Sequence, residues 1–322
     1  MSTSAYSSVT SRDNRTASPL DERLMRLFAE PGVTDVLLDG GGGCWVVRGG
    51  AVEARENPFA AGDTAAEIDR LAIDLIAAGG RQLDPVSPFA DVVLGAFRVH
   101  AALRSACSRQ TQISVRFLGQ RTVALDELKE FGTFDQSTLD GMRIMLGNRD
   151  NFLISGATGS GKTTLLRALM SECVGQRIIT IEDLPELRLE GAVELVARRA
   201  NIEGRGEVGL ERLLIESLRM RPDRIVVGEL RSTELLVLLQ ALNTGHSGSG
   251  ATLHANDVDS VPDRLRAIGM AAGLVPEQID RMVATSIRWL IHVEVRSGRR
   301  QIVAIGRLSL VDGKLAVETV RT

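Results

Sequence analysis

Aromatic residues, cysteines and excess charge are all scarce in this chain, and each shortage closes off a class of function. Aromatics make up 3% of the 322 residues, too few for a surface that stacks the bases of single-stranded nucleic acid. Lysine and arginine number 38 against 41 aspartate and glutamate. With a net charge of −3, no excess of positive charge draws the chain to a phosphate backbone, so no direct nucleic-acid contact is expected. Cys44, Cys107 and Cys173 are scattered, odd in number and without C-x-x-C spacing; they read as reduced thiols without disulfide or zinc roles. No apolar run reaches the ~18–20 residues that a membrane-crossing helix requires. Residues 1–18 are rich in Ser and Thr, lack the apolar core of a secretory signal, and are expected to form a disordered tail. A cytoplasmic chain is expected, with any membrane association peripheral and made through partners.

What is present divides into two textures. From 20 to 127 the pattern is α+β. A helix is expected at Asp21–Ala29, with strands at Thr34–Leu38 and Cys44–Arg48 around a glycine-heavy turn. A second helix follows from Thr64 to Ala78, ended by Gly79-Gly80, and further strands at Ala90–Leu94, Phe97–Leu103 and Gln112–Phe117. A connection at 128–133 leads to 134–322, where strands and helices alternate. Apolar strands are expected at Phe152–Ser155, Ile178–Ile181, Val193–Val196, Ile225–Gly228 and Gly250–His254. Strands that are apolar throughout and separated by helices predict an α/β domain with a mostly parallel sheet, buried on both faces. Ligands of such sheets sit at the carboxyl ends of the strands.

At one such end the chain reads Gly156-Ala157-Thr158-Gly159-Ser160-Gly161-Lys162-Thr163, followed by Thr164 and a helix-forming run. This is a complete phosphate-binding loop in the strand–loop–helix setting it needs. Glycines let successive backbone N–H groups turn toward one anion, and the helix N-terminus adds partial positive charge. Lys162 is expected to neutralise ATP phosphates and Thr163 to ligate Mg²⁺. Phosphoryl transfer also needs carboxylates that hold metal and orient water. Two strand ends supply them: Ile225–Gly228 runs into Glu229, and Arg177–Ile181 runs into Glu182 and Asp183. Glu229 is the first choice for positioning water, with Glu182 and Asp183 supporting the metal; Glu182 and Glu229 could exchange roles. His246 and His254 bracket a Ser/Gly-rich turn, 245–250, that is expected to move and to couple the γ-phosphate to that movement. The arginines between Arg198 and Arg231 offer either surface charge or fingers reaching a neighbouring subunit's triphosphate. Arg198, Arg205, Arg219 and Arg231 are the candidates.

The order of these segments carries a resemblance. Gly156–Thr164 is followed by Thr180-Ile181-Glu182-Asp183-Leu184-Pro185-Glu186-Leu187, Asn201–Glu207, Leu218–Arg224, Gly228-Glu229-Leu230-Arg231, Leu242–His246 and Thr252–Asn256. The chain resembles the type II/type IV secretion ATPase superfamily, most closely its branch that drives Tad/Flp-type pilus assembly. The resemblance implies a RecA-like P-loop ATPase domain behind a smaller α+β domain, and a homohexameric ring that hydrolyses ATP with Mg²⁺. It also implies inner-membrane platform proteins as partners, with Arg98 and Arg116 of the first domain facing nucleotide. A conjugation-type motor serving DNA export is the alternative reading.

Overall fold

The computed structural model describes residues 20–60, 63–119, 122–198 and 205–321. The expected tail at 1–18 lies outside the described residues. The chain divides into two compact units, Met1–Gln120 and Arg121–Thr322.

The first unit holds α1 (Glu22–Phe28), β1 (Val33–Asp39), β2 (Cys44–Arg48), β3 (Ala51–Ala54), α2 (Thr64–Ala78), β4 (Phe89–Leu94), β5 (Phe97–Ala102) and β6 (Gln112–Phe117). Its sheet has the order β3-β2-β1-β6-β5-β4, and every neighbouring pair is antiparallel. Helix α2 starts where Asp63 accepts a hydrogen bond from Ala66 N at 3.2 Å, and it buries Ile68, Leu71, Leu75 and Ile76 at helical spacing. The apolar residues of both helices and the inner faces of the strands close one core, with Leu24, Val36, Val46, Ile76 and Val99 fully buried.

The second unit runs α3 (Leu125–Glu130), α4 (Gln136–Gly147), β7 (Phe152–Gly156), α5 (Lys162–Ser171), β8 (Ile178–Glu182), β9 (Val193–Val196), α6 (Leu210–Ser217), β10 (Arg224–Val227) and α7 (Glu234–Asn243). Then come β11 (Gly250–His254), α8 (Val261–Ala271), α9 (Pro276–Ser286), β12 (Trp289–Arg296), β13 (Arg299–Val311) and β14 (Lys314–Arg321). The sheet order is β14-β13-β12-β7-β11-β10-β8-β9. From β12 to β9 all neighbours are parallel, whereas β13 and β14 extend one edge antiparallel. All residues of β7, β8 and β10 are buried, because helices cover both faces of the sheet. One core lies under α4 and α5, and the other under α7, α8 and α9. The α/β class expected from the sequence is the one observed.

The division between the units falls earlier than the connection expected at 128–133. Leu125 and Leu128 of α3 are buried in the same core as Leu165 and Leu169 of α5, which draws that helix into the second unit. A helix of this length has too few turns for apolar periodicity to identify it. The strands β12 to β14, which lie outside the expected strands, complete one side of the sheet.

Candidate functional site

The phosphate loop leaves the carboxyl end of β7 and runs into α5 with glycines at the positions of closest approach. Gly156 has φ +151°, and a Cβ there would lie 2.2 Å from the Val293 carbonyl oxygen of β12. Gly161 has φ +100° and caps α5, with the Arg300 side chain 2.9 Å from where its Cβ would stand. Only glycine satisfies both conditions. Ala157, Thr158 and Gly159 are exposed, Ser160 is buried, Thr163 is half-buried in the first turn of α5, and Thr164 is exposed.

Lys162 is buried, and its Nζ donates to the carbonyls of Gly156 at 2.8 Å and Ala157 at 2.7 Å. Burial lowers its pKa to about 8, against the pull of the Glu229 carboxylate. His254, at the end of β11, stands beside it with Nδ1 3.4 Å from Nζ. The same ring reaches the other way, Nε2 lying 3.0 Å from Glu229 Oε1. Burial and then Lys162 hold the His254 pKa down. Glu229 Oε2 accepts from Arg231, whose other terminal nitrogen pairs with Asp183 at 3.2 Å. Lys162, His254, Glu229, Arg231 and Asp183 thus form one continuous chain of contacts. Parallel register explains the convergence, since β7, β11, β10 and β8 all end on the same side.

Glu182 stands apart from this chain. It is buried at the end of β8, and its Oε1 accepts from Glu186 N at 3.2 Å and Leu187 N at 3.0 Å. Its Oε2 is buried without a hydrogen-bond partner. Burial raises its pKa to about 8, more than the two backbone donors lower it. Gly228, standing where an aspartate often ends such a strand, makes room for it: a Cβ on Gly228 would lie 2.9 Å from Glu182 Cγ. Among the described residues no three His, Cys, Asp or Glu side chains gather to hold a metal ion. The buried, unpartnered Oε2 of Glu182 nevertheless fits a cation or its water shell, whereas Asp183 is exposed and committed to Arg231.

Some expected residues lie elsewhere. His246 precedes β11, at the amino end of the strands, while His254 closes that strand beside the loop; the strand that lies between them is itself about 13 Å long at ~3.3 Å per residue. The two histidines therefore do not face one site within this chain. The turn between them, expected to move, is anchored. Arg224 donates to Gly248 O at 2.7 Å, Ser249 N donates to Asn151 Oδ1 at 3.0 Å, and Ser249 Oγ donates to His246 O at 3.1 Å. Arg219 pairs with Glu216 at 3.0 Å on an exposed helix end, and Arg198 Nε donates to Gly206 O at 2.6 Å. Arg205 is exposed; Arg199 and Asn201–Gly204 lie outside the described residues. In the first unit Arg98 and Arg116 are cross-strand neighbours, each paired with an acid: Arg98 with Asp91 at 3.2 Å and Arg116 with Asp35 at 2.6 Å. Sequence reasoning missed His292, buried on β12 directly opposite Ser155 of β7, because it stands in no motif.

Comparison with known proteins places the chain in a family. A family model described as type II/IV secretion system protein matches residues 96–301. A Mycobacterium tuberculosis protein named for conjugal transfer is 39% identical over 305 residues, covering 91% of this chain and 86% of its own. The conjugal transfer protein TrbB of Rhizobium radiobacter is 33% identical over 200 residues, 56% of this chain and 60% of its own. Among solved structures, the Legionella pneumophila ATPase DotB aligns with a TM-score of 0.60 at 18% identity, covering 94% of this chain and 84% of its own. The pilus retraction motor PilT, solved with bound ADP, aligns with a TM-score of 0.59 at 20% identity, covering 93% and 83%. At these identities the two structures speak for the fold.

Proposed function

The chain belongs to the type II/IV secretion system protein family and is an ATPase of that family; from this premise we propose that it is the motor subunit of a homohexameric ring serving a conjugal-transfer type of secretion apparatus. The observation that carries the reading is the chain of contacts from Lys162 through His254, Glu229 and Arg231 to Asp183, built where a triphosphate would sit. A triphosphate seated on the loop offers Lys162 charged oxygens in place of the Gly156 and Ala157 carbonyls, and the N–H groups of the loop and of α5 face the same anion. Moving Lys162 forward frees the His254 ring on that side. Glu229, held by His254 and Arg231, orients the attacking water and takes up its proton. Mg²⁺ would be held by Thr163 and, through the unpartnered oxygen of Glu182, by β8; it would neutralise charge on the phosphates.

Relatives named for conjugal transfer favour a DNA-exporting apparatus. The order of the motifs favours a second reading, assembly of a Tad/Flp-type pilus through an inner-membrane platform. The net charge of −3 and the 3% aromatic content support a motor that pushes on protein partners under either reading. Phosphate release by the purified chain with Mg²⁺ and ATP tests the enzyme. Turnover that survives Lys162→Ala would remove the site assignment. Relaxase and coupling-protein genes beside this one would support the conjugal reading, and pilin and platform genes the other.

A further inference from the structure

His292 is one of four histidines, and its surroundings set it apart from an ordinary core residue. It is 0% exposed, as is Ser155, and the two lie opposite each other on β12 and β7. Ser155 is the residue before Gly156, where the phosphate loop leaves the sheet. The Nδ1 of His292 stands 2.7 Å from Ser155 Oγ. Its Nε2 is buried with no hydrogen-bond partner, and Glu294 Oε1 lies just out of reach at 3.6 Å. The charges that act on the ring are those of Glu294 and Arg296 on β12, Asp257 in the segment after β11, and Lys162 at the start of α5. Asp257 lies three residues beyond His254 and accepts from Ser260 N at 2.7 Å, which fixes the entry to α8.

The geometry points to His292 as a positioning residue for nucleotide binding, one that holds the Ser155 hydroxyl at the base of the phosphate loop. The inference rests on the ATPase reading of the neighbouring site. Its chemistry follows from the hydroxyl. A buried Ser155 O–H needs an acceptor, and Nδ1 of a neutral ring provides one, leaving the ring proton on Nε2 toward Glu294. Burial favours that neutral ring, Lys162 and Arg296 add to the effect, and Glu294 and Asp257 oppose it. The folded pKa is lowered, so the ring is neutral at pH 7 and protonates only on the acid side of its ordinary range. Protonation removes the acceptor, forces the Ser155 hydroxyl to turn round, and draws Glu294 inward. The imidazolium Nδ1 then donates to Ser155 Oγ, and the hydroxyl hydrogen at the base of the loop must find another acceptor.

Glutamine and leucine separate this role from mere filling. The amide of His292→Gln can accept from Ser155 and donate toward Glu294 without titrating; His292→Leu fills space and leaves the hydroxyl unpaired. The full chain is titrated with a fluorescent ATP analogue, and its turnover is measured from pH 5.5 to 8.5. We expect His292→Leu to weaken nucleotide binding about tenfold while turnover at saturating ATP stays within about threefold. His292→Gln binds within about twofold of wild type at pH 8 and loses the weakening of binding that wild type shows in acid. Wild-type affinity in His292→Leu overturns the proposal. So does an acid limb that persists in His292→Gln and disappears in His254→Gln. If His292→Leu does not fold, the pH profile of His292→Gln decides alone. Wild-type protein that binds nucleotide without turnover would count against the ATPase reading, and the binding arm would still decide this proposal.

Discussion

Lys162 and Glu182 carry opposite charges, yet burial presses both toward neutrality, each with a pKa of about 8. For Glu182 the folded pKa is raised above the ordinary value of 4.5. The folded state then keeps a proton that the unfolded chain has given up, so its contribution to stability is present at low pH and is lost as pH rises from about 4.5 toward 8. Thermal melts without added nucleotide should show Glu182→Gln less sensitive than wild type over pH 5 to 8, and more stable at the upper end. Equal slopes would mean that the carboxyl is solvated. Lys162 has the reverse sign. Its lowered pKa leaves a cost that is relieved as pH rises through 8 toward 10.5. Both residues were legible in the sequence because the loop pattern and a strand-end acid are local signals. Their electrostatic condition was not, since it depends on neighbours supplied by other strands. In kinetics, Lys162→Ala should lower turnover by ~10²-fold or more, and Glu229→Gln by ~10²–10⁴-fold, in steady-state phosphate release.

At the scale of elements, the ends of β8 and β10 are a matched pair. Gly228 is paired beside Glu182, with Gly228 N donating to Ile181 O at 2.9 Å, and its missing side chain is the space that Glu182 fills. In the sequence this glycine is only the last residue of the strand Ile225–Gly228. Gly228→Ala should displace Glu182 and lower turnover at least about tenfold, at a stability cost of ~1–3 kcal/mol from overpacking. Wild-type turnover in that variant would show that Glu182 has room to spare. Arg224 acts on the other end of β10. It is 2% exposed and donates to Gln176, to Gly248 O and, at 2.8 Å, to Leu146 O. Arg224→Met would remove the side-chain donor from buried Gly248 O and leave Leu146 O with only backbone donors, and chemical denaturation should record a loss of ~2–4 kcal/mol. In the sequence Arg224 was one arginine in a run that offered surface charge or intersubunit fingers. Nothing local marks it as the clasp that anchors the turn at 245–250.

For the whole molecule, a site at the carboxyl ends of parallel strands collects residues from β7, β8, β10 and β11, which are distant in sequence. Mass measurement with a non-hydrolysable ATP analogue should give six copies of the 34.7 kDa chain, and a monomer under all conditions would exclude the proposed ring. The sequence by itself determined the α/β class, the loop, the strand-end acids and the family resemblance, because these follow from periodicity and from contiguous motifs. Tertiary structure decided which residues meet. It brought His254, Glu229 and Lys162 into contact, set His246 at the other end of the sheet, drew α3 into the second unit, and placed His292 beneath the loop. Strand order and register govern those encounters, and both are set by pairings between segments far apart in the chain.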